Sequence, residues 1–519
     1  MTLPSRFLSS ARLIAGLTLL SRLLGLVREW SFSYFFGTGE LLSAFRIAFQ
    51  VPNLARRLFG EGALASAMIP VLSKTLQNEG DDASRRLVGS ILVNLLLLLG
   101  GGVVAGETII FLWRVAADDP ALSLSAMLLP YAALICCVAV VGGVLNIRGH
   151  FATPAAVPCV LNIAIIAGVT LAAVGLELTD GGTMRVVCMA VLVAGFLQLV
   201  VSLVMLRRLS FFPIFAGWRK NAKLREVMGL MMPMALGLSA VQINTLADNL
   251  IAYWFVEVDG QRSGPAILGF AHFLYQLPLG VFGIAIATAV FPVLTRCAAA
   301  DDRIGLAQAF ERGVRTCLFL AIPSSVGLIF IAHPLIAALY QGGKFDAGDT
   351  SRCAAALAYY SLGLAAYFTQ HVVVRTFYAH HNSRTPARVA LVMVAINLGM
   401  NLALVRVMEE SGLALATAIC AFIQVLALLL ILRRKVEGIQ WVKLGRSLLR
   451  TAFSAGVMAF SLSVIAMVPM VRDRLIGHDA LRVGVMVVTG VVVFTICATM
   501  QRQEELREVL ATTKRTDRI

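Results

Sequence analysis

Five arginines lie in sequence that is otherwise apolar enough to enter a membrane. Arg22, Arg28, Arg46, Arg56 and Arg57 all fall between Ala15 and Leu76. A charged side chain near the centre of a bilayer costs at least about 2.5–3.5 kcal/mol. Five of them so close together therefore call for a water-filled cavity or an anionic partner. Arginine suits a multiply anionic group: its planar fork binds phosphate oxygens in pairs, and burial does not neutralise it. Arg22, Arg28, Arg56 and Arg57 are thus candidates for holding a phosphate or pyrophosphate. The competing assignment is structural, with some of these arginines reaching an interface or pairing with carboxylates as struts. Glu29 adjoins Arg28, and Glu61 follows Arg57 by four residues, the spacing of an ion pair on an α-helix. Glu29, Arg46 and Glu61 are accordingly candidates for cavity or gating roles. So are Asp248 and His272, which sit amid apolar residues and suit either ion or proton handling or a polar contact between helices.

Nothing competes as a catalytic centre. The chain has no phosphate-cradling Walker sequence, no HExxH and no GxSxG. His380-His381 have no acidic neighbours at metal spacing and suit a solvated loop. The nine cysteines show no metal-binding spacing and suit apolar packing. No metal or organic cofactor is expected, so any work done would draw on an ion gradient, the membrane potential or the substrate's own gradient. Gly100-Gly101-Gly102 and Gly142-Gly143 lie in apolar runs and suit close helix packing better than phosphate binding.

The elements that must position these residues are membrane helices. The chain of 519 residues is 59% hydrophobic and 14% charged, with a mean hydropathy of +0.83; soluble proteins carry about 25% charged residues. Apolar runs recur that are long enough to cross ~30 Å of hydrocarbon. They suggest fourteen spans, at about 11–36, 41–73, 86–113, 121–147, 156–176, 184–206, 226–256, 265–295, 314–332, 353–379, 387–405, 411–432, 447–471 and 481–501. In lipid such runs are helical, because every backbone group must be satisfied internally. No cleaved signal peptide is apparent, and the first run reads as a retained span. Basic residues concentrate in alternate loops, notably Arg207–Arg225 and Arg433–Arg450, which places both termini in the cytoplasm. The net charge of +15 therefore reflects topology, and no basic soluble domain is present to bind nucleic acid.

A weak internal repeat organises the runs. Pro52 followed by Ile69-Pro70-Val71-Leu72-Ser73-Lys74 parallels Pro278 followed by Phe291-Pro292-Val293-Leu294-Thr295-Arg296. Likewise Ile147-Arg148-Gly149-His150-Phe151-Ala152-Thr153-Pro154 parallels Ala379-His380-His381-Asn382-Ser383-Arg384-Thr385-Pro386. An even number of spans per copy makes the repeat a parallel one, as in transporters with two lobes around a central cavity. The expected fold is an all-α polytopic membrane protein with an N-terminal lobe over 1–215, a C-terminal lobe over 216–435 and two additional helices over 436–519. Proline within span 2 should break or bend that helix at Pro52.

Two segments carry a family resemblance. Ser21-Arg22-Leu23-Leu24-Gly25-Leu26-Val27-Arg28-Glu29 and Pro52-Asn53-Leu54-Ala55-Arg56-Arg57-Leu58-Phe59-Gly60-Glu61-Gly62-Ala63 resemble the signature of the MurJ (MviN) lipid II flippases, within the multidrug/oligosaccharidyl-lipid/polysaccharide exporter superfamily. Tyr275–Gly283 and Tyr340–Asp346 add to the likeness, which runs from about residue 11 to the end of span 12. The resemblance implies an inner-membrane flippase, not an enzyme. It would move undecaprenyl-pyrophosphate-linked peptidoglycan precursor to the outer leaflet by alternating access, for cell-wall synthesis and cell shape. It further implies a lipid-tail groove at spans 13 and 14, and membrane lipids and cell-wall synthesis proteins as partners. Two departures stand out. Ser43 replaces an Asp usual in the family, and Ala271-His272-Phe273-Leu274 replaces Ala-Asp-Arg-Leu, so Phe273 stands in place of an arginine. The alternatives left open are a flippase for another polyprenyl-linked oligosaccharide, a cation-coupled drug exporter, and a non-transporting scaffold or inactive homologue.

Overall fold

The fold was analysed in a computed structural model that describes residues 5–114, 119–218, 221–434, 436–468 and 479–509. Within those ranges the side chains of 5–12, 60–63, 65, 66, 114, 222 and 232–241 lie outside the description. The chain is all-α as expected. A pairing of two-residue strands, β1 (Glu257–Val258) with β2 (Gln261–Arg262), is the only sheet among the described residues. Nine helices among the described residues are both long and apolar enough to cross a membrane. The chain divides into two compact units, one comprising Met1–Tyr253 with Val258–Ala266, the other Trp254–Glu257 with Ile267–Ile519.

The first unit runs α1 (Ser5–Phe36), α2 (Glu40–Ala55), α3 (Ala63–Arg114), α4 (Pro120–Leu128), α5 (Tyr131–Ile147), α6 (Ala152–Thr170), α7 (Asp180–Arg208) and most of α8 (Ala222–Phe255). Its core packs Met68, Val71 and Leu72 of α3 against Cys136, Val140 and Val144 of α5, with Leu206, Phe211 and Val227 closing one side. Two expected spans merge in α3, yet the helix breaks at Gly80, where φ is +80°. Glycine takes that left-handed backbone without a Cβ penalty. The acidic turn around the break is held by basic side chains: Arg148 meets Asp81 at 2.6 Å, and Lys223 pairs with Glu79.

The second unit contains α9 (Gly264–Pro278) from Ile267 onward, α10 (Ile284–Ala299), α11 (Arg303–Tyr340), α12 (Ala347–Leu362), α13 (Leu364–Ala379), α14 (Arg384–Arg433), α15 (Trp441–Met467) and α16 (Asp479–Met500). The last two helices pack on α11, where Phe319 meets Phe494 at 5.2 Å between ring centroids. The two expected spans within α14 are separated at Glu409, whose φ is +50°. Beyond α16, Arg315 donates to Glu505 at 2.6 Å and to Glu504 at 3.0 Å, and Ser447 donates to Glu505 at 2.6 Å. That knot ties the chain after α16 to α11 and α15.

The two pairs of repeated motifs share local geometry. Pro52 does not end α2. The helix runs on to Ala55 and passes into a π-helical stretch, Arg56–Gly62, before α3 begins. Pro278 is likewise followed directly by a π stretch, Leu279–Gly283, before α10. Proline removes one i→i−4 bond, and a π turn re-registers the ladder around such a defect. The second motif pair matches more closely. Between α5 and α6, Gly149 has φ +77° and His150 N donates to Leu145 O at 2.9 Å. Between α13 and α14, His381 has φ +54° and Asn382 N donates to Phe377 O at 3.0 Å. Both are Schellman endings, the left-handed residue freeing the chain to turn while the helix's last carbonyls stay bonded. His380 and His381 are exposed, as expected of a loop pair.

One expectation about glycine is corrected. A Cβ on Gly143 would meet Met68 at 3.0 Å, so that pair does mark close packing. Gly100, Gly101 and Gly102 have nothing within 4 Å among the described residues, so they line an open face of α3.

Candidate functional site

The charged residues of α1 and α2 assemble around one carboxylate. Glu29 is 3% exposed, and each of its oxygens serves a different arginine. Arg28 donates from one terminal nitrogen to Glu29 Oε1 at 2.7 Å, and Arg46 donates to Glu29 Oε2 at 2.8 Å. The other terminal nitrogen of Arg28 donates to Asn162 Oδ1 on α6 at 3.0 Å, while Asn162 Nδ2 donates to Ser21 O at 3.1 Å. Two guanidiniums and one carboxylate leave this cluster with one net positive charge. A carboxylate this deeply buried is tolerable only because both lone-pair faces meet charged donors.

The remaining arginines take other positions. Arg22, half-buried on α1, has no ion pair among the described residues. Arg56 Nε donates to Asn53 Oδ1 at 3.0 Å, and Arg57 donates to Gln242 Oε1 of α8 at 3.3 Å. Tyr131, buried at the head of α5, stacks on Phe49 at 5.9 Å between ring centroids. The expected Arg57–Glu61 pair falls on the π-helical residues 56–62. The Glu61 side chain itself lies outside the described residues.

Asp248 accepts from Asn244 Nδ2 at 3.2 Å, one turn back on α8. His272 belongs to the second unit, where it bonds Gln276 and turns its ring edge-on to Tyr275 at 5.0 Å and Tyr360 at 5.9 Å. No His/Cys/Asp/Glu group able to hold a metal occurs among the described residues.

Ser43 receives a structural explanation. Fully buried, its hydroxyl accepts from Ala266 N at 3.2 Å, in the first turn of α9. It thus supplies a helix N-terminus with the oxygen acceptor that a carboxylate would otherwise offer. Nearby, Asp119 caps α4 by accepting from Ala121 N at 2.8 Å and also accepts from Tyr253 Oη at 2.7 Å and Arg262 at 2.5 Å. Arg262 lies over the Tyr253 ring, 4.9 Å from its centroid.

Comparison with known proteins decides the family. A protein-family profile described as "Lipid II flippase MurJ" matches residues 32–477. The chain belongs to the MurJ lipid II flippase family. It is 31% identical over 470 residues to a probable lipid II flippase MurJ of Rhizobium meliloti, covering 87% of this chain and 85% of that one. It is 30% identical over 440 residues to the lipid II flippase MurJ of Burkholderia cenocepacia, covering 81% and 83%. Among solved structures it resembles a lipid II flippase MurJ in an inward closed conformation, with a TM-score of 0.77, 25% identity and coverage of 95% and 99%. An inward-facing multidrug MATE transporter shares the fold, with a TM-score of 0.66 at 14% identity, over 83% of this chain. The fold class and the multi-pass membrane character expected from sequence are those of this transporter family. The profile match includes Ser43, Arg46, Arg56, Arg57, Glu61, Asp248 and His272, whereas Arg22, Arg28 and Glu29 precede its first residue.

Sequence reasoning passed over Asn162, Asn53, Gln242 and Arg262. Asn162 carried a signal nonetheless: it is the lone amide in the apolar run Val160-Leu161-Asn162-Ile163-Ala164, and polar side chains at membrane depth normally have a partner.

Proposed function

We propose that the protein is a lipid II flippase that carries undecaprenyl-pyrophosphate-linked peptidoglycan precursor from the inner to the outer leaflet of the bacterial inner membrane. The single observation that carries this reading is the pair of half-buried arginines of α1 and α2 on the buried Glu29, inside a chain that belongs to the family. A net positive charge held in an apolar helical unit has little use for a cationic drug and suits a pyrophosphate headgroup. Arg22, Arg28, Arg56 and Arg57 hold the anionic headgroup. The chain crosses the membrane fourteen times with both termini in the cytoplasm, in two six-helix lobes over 1–215 and 216–435, with the helices after 436 receiving the lipid tail. Transport runs by alternating access without covalent chemistry, coupled to an ion gradient or the membrane potential. Cell-wall synthesis proteins are its natural neighbours. A substrate drives such a cycle only if it binds the two conformations differently.

The test is complementation of a strain depleted of its own lipid II flippase. Wild type should restore growth, and Arg28→Ala or Arg56→Ala should not, at equal membrane levels. Failure of correctly inserted wild type to rescue would point to another polyprenyl-linked glycan, a direction in which Phe273, standing where the family has an arginine, also points.

A further inference from the structure

Arg28 is poorly placed to accept a new anion while Glu29 holds it. One terminal nitrogen is engaged by Glu29 and the other by Asn162, and its Nε is buried with no hydrogen-bond partner among the described residues. A phosphate approaching this guanidinium meets a carboxylate already bonded to it. Two like charges at one fork repel strongly in so dry a place. Removing the carboxylate to bulk water is no remedy, because Glu29 is only 3% exposed. Arg46 offers another: it already bonds the second oxygen of the same carboxylate, from the neighbouring helix, and is itself only 18% exposed.

We propose that Arg46 is a positioning residue that holds Glu29 when a polyprenyl pyrophosphate takes its place on Arg28. Before binding, Glu29 bridges the two arginines. On binding, the pyrophosphate oxygens occupy the fork of Arg28, and Glu29 remains paired through Arg46 alone. No proton moves, and the buried carboxylate keeps a charged partner. Without Arg46 the sum of Arg28 and Glu29 is zero, and the incoming anion would strand a buried carboxylate. This inference rests on the flippase reading above and adds to it a residue that never touches the substrate.

The test uses the purified full-length protein in lipid nanodiscs, with undecaprenyl pyrophosphate as the probe. Arg46→Gln should weaken binding roughly tenfold or more, the scale of a hydrogen bond to a charged group. Glu29→Gln should bind at least as well as wild type, since the competing charge is gone. The double variant Glu29→Gln/Arg46→Gln should return to near the wild-type affinity, which a residue needed only for packing would not allow. Should Arg46→Gln fail to accumulate, Arg46→Lys keeps the charge and should bind, whereas Arg46→Met in the Glu29→Gln background should bind equally well. Wild-type affinity in Arg46→Gln, or a double variant as weak as that single one, overturns the inference alone. Lack of probe binding by wild type overturns the flippase reading and this inference together.

Discussion

Asn162 is the sharpest place to perturb the cluster, because it bonds no carboxylate and yet accepts from one terminal nitrogen of Arg28. Replacing it with alanine removes two hydrogen bonds, the 3.0 Å bond from Arg28 and the 3.1 Å bond to Ser21 O. The first involves a charged donor and is worth about 1.5–3 kcal/mol; the second is neutral and worth about 0.5–1.5 kcal/mol. The loss at Ser21 falls at the low end, since a helical carbonyl keeps its backbone partner. Asn162 is 6% exposed, so water offers little replacement. The sum is about 2–4 kcal/mol, large against the 5–15 kcal/mol that holds a typical domain together. In detergent, Asn162→Ala should therefore melt several degrees below wild type, and it should rescue a flippase-depleted strain poorly at equal expression. Asn162→Asp separates geometry from charge: it keeps an acceptor for Arg28, loses the donor to Ser21 O and neutralises the cluster, so it should melt between Asn162→Ala and wild type and still fail to rescue. An Asn162→Ala protein with unchanged melting and full rescue would refute the assignment of Arg28's orientation to this bond.

Three further outcomes follow from other parts of the fold. Asp119→Ala should cost about 2–4 kcal/mol, less than a fully buried broken ion pair because the Arg262 side chain stays 25% exposed; faster amide exchange at Ala121 would report the lost cap. Gly89→Ala should destabilise by about 1–3 kcal/mol, seen as a lower melting temperature, because its Cβ would stand 2.1 Å from Ile214 O, a backbone atom that cannot swing away. Burial pushes the Glu505 carboxyl up, but the hydrogen bonds from Arg315 and Ser447 outweigh it and hold it below the usual carboxylate range. A lowered carboxylate stabilises the fold above its unfolded-state value and loses that effect as pH falls through the folded-state value. The melting gap between wild type and Glu505→Gln should hence be full at neutral pH and close below about pH 4.

Helix content and breaks were readable because they follow from hydrophobicity and from residues that resist helical backbone. Gly80 and Glu409 both fall in the polar stretches expected between spans, and the four arginines of the family signature were singled out by their cost in lipid alone. The connections between them were not readable. That Glu29 joins Arg28 to Arg46 depends on how α1 and α2 face each other, which no spacing along one helix specifies. Asn162 comes from a helix more than a hundred residues away in sequence. Of the break or bend expected at Pro52, a break does not occur: the helix continues to Ala55 and a π stretch follows. Gly100–Gly102 were misjudged because glycine's small size permits close packing without demanding it. Ser43 looked like a lost carboxylate until the first turn of α9 was found resting on its hydroxyl.

The matched turns after α5 and α13 have a consequence for how the two motif copies age. At Gly149 the left-handed backbone is free of steric cost, and most other residues there would be penalised. At His381 the same backbone angle is already occupied by a side chain that pays for it, so that copy has spent its tolerance and a further bulky or β-branched change there would be felt at once. The same left-handed angle stands in both turns although the residue that carries it differs. Internal duplications in membrane proteins whose sequences have diverged past recognition should thus remain traceable through the places where a helix ends left-handed.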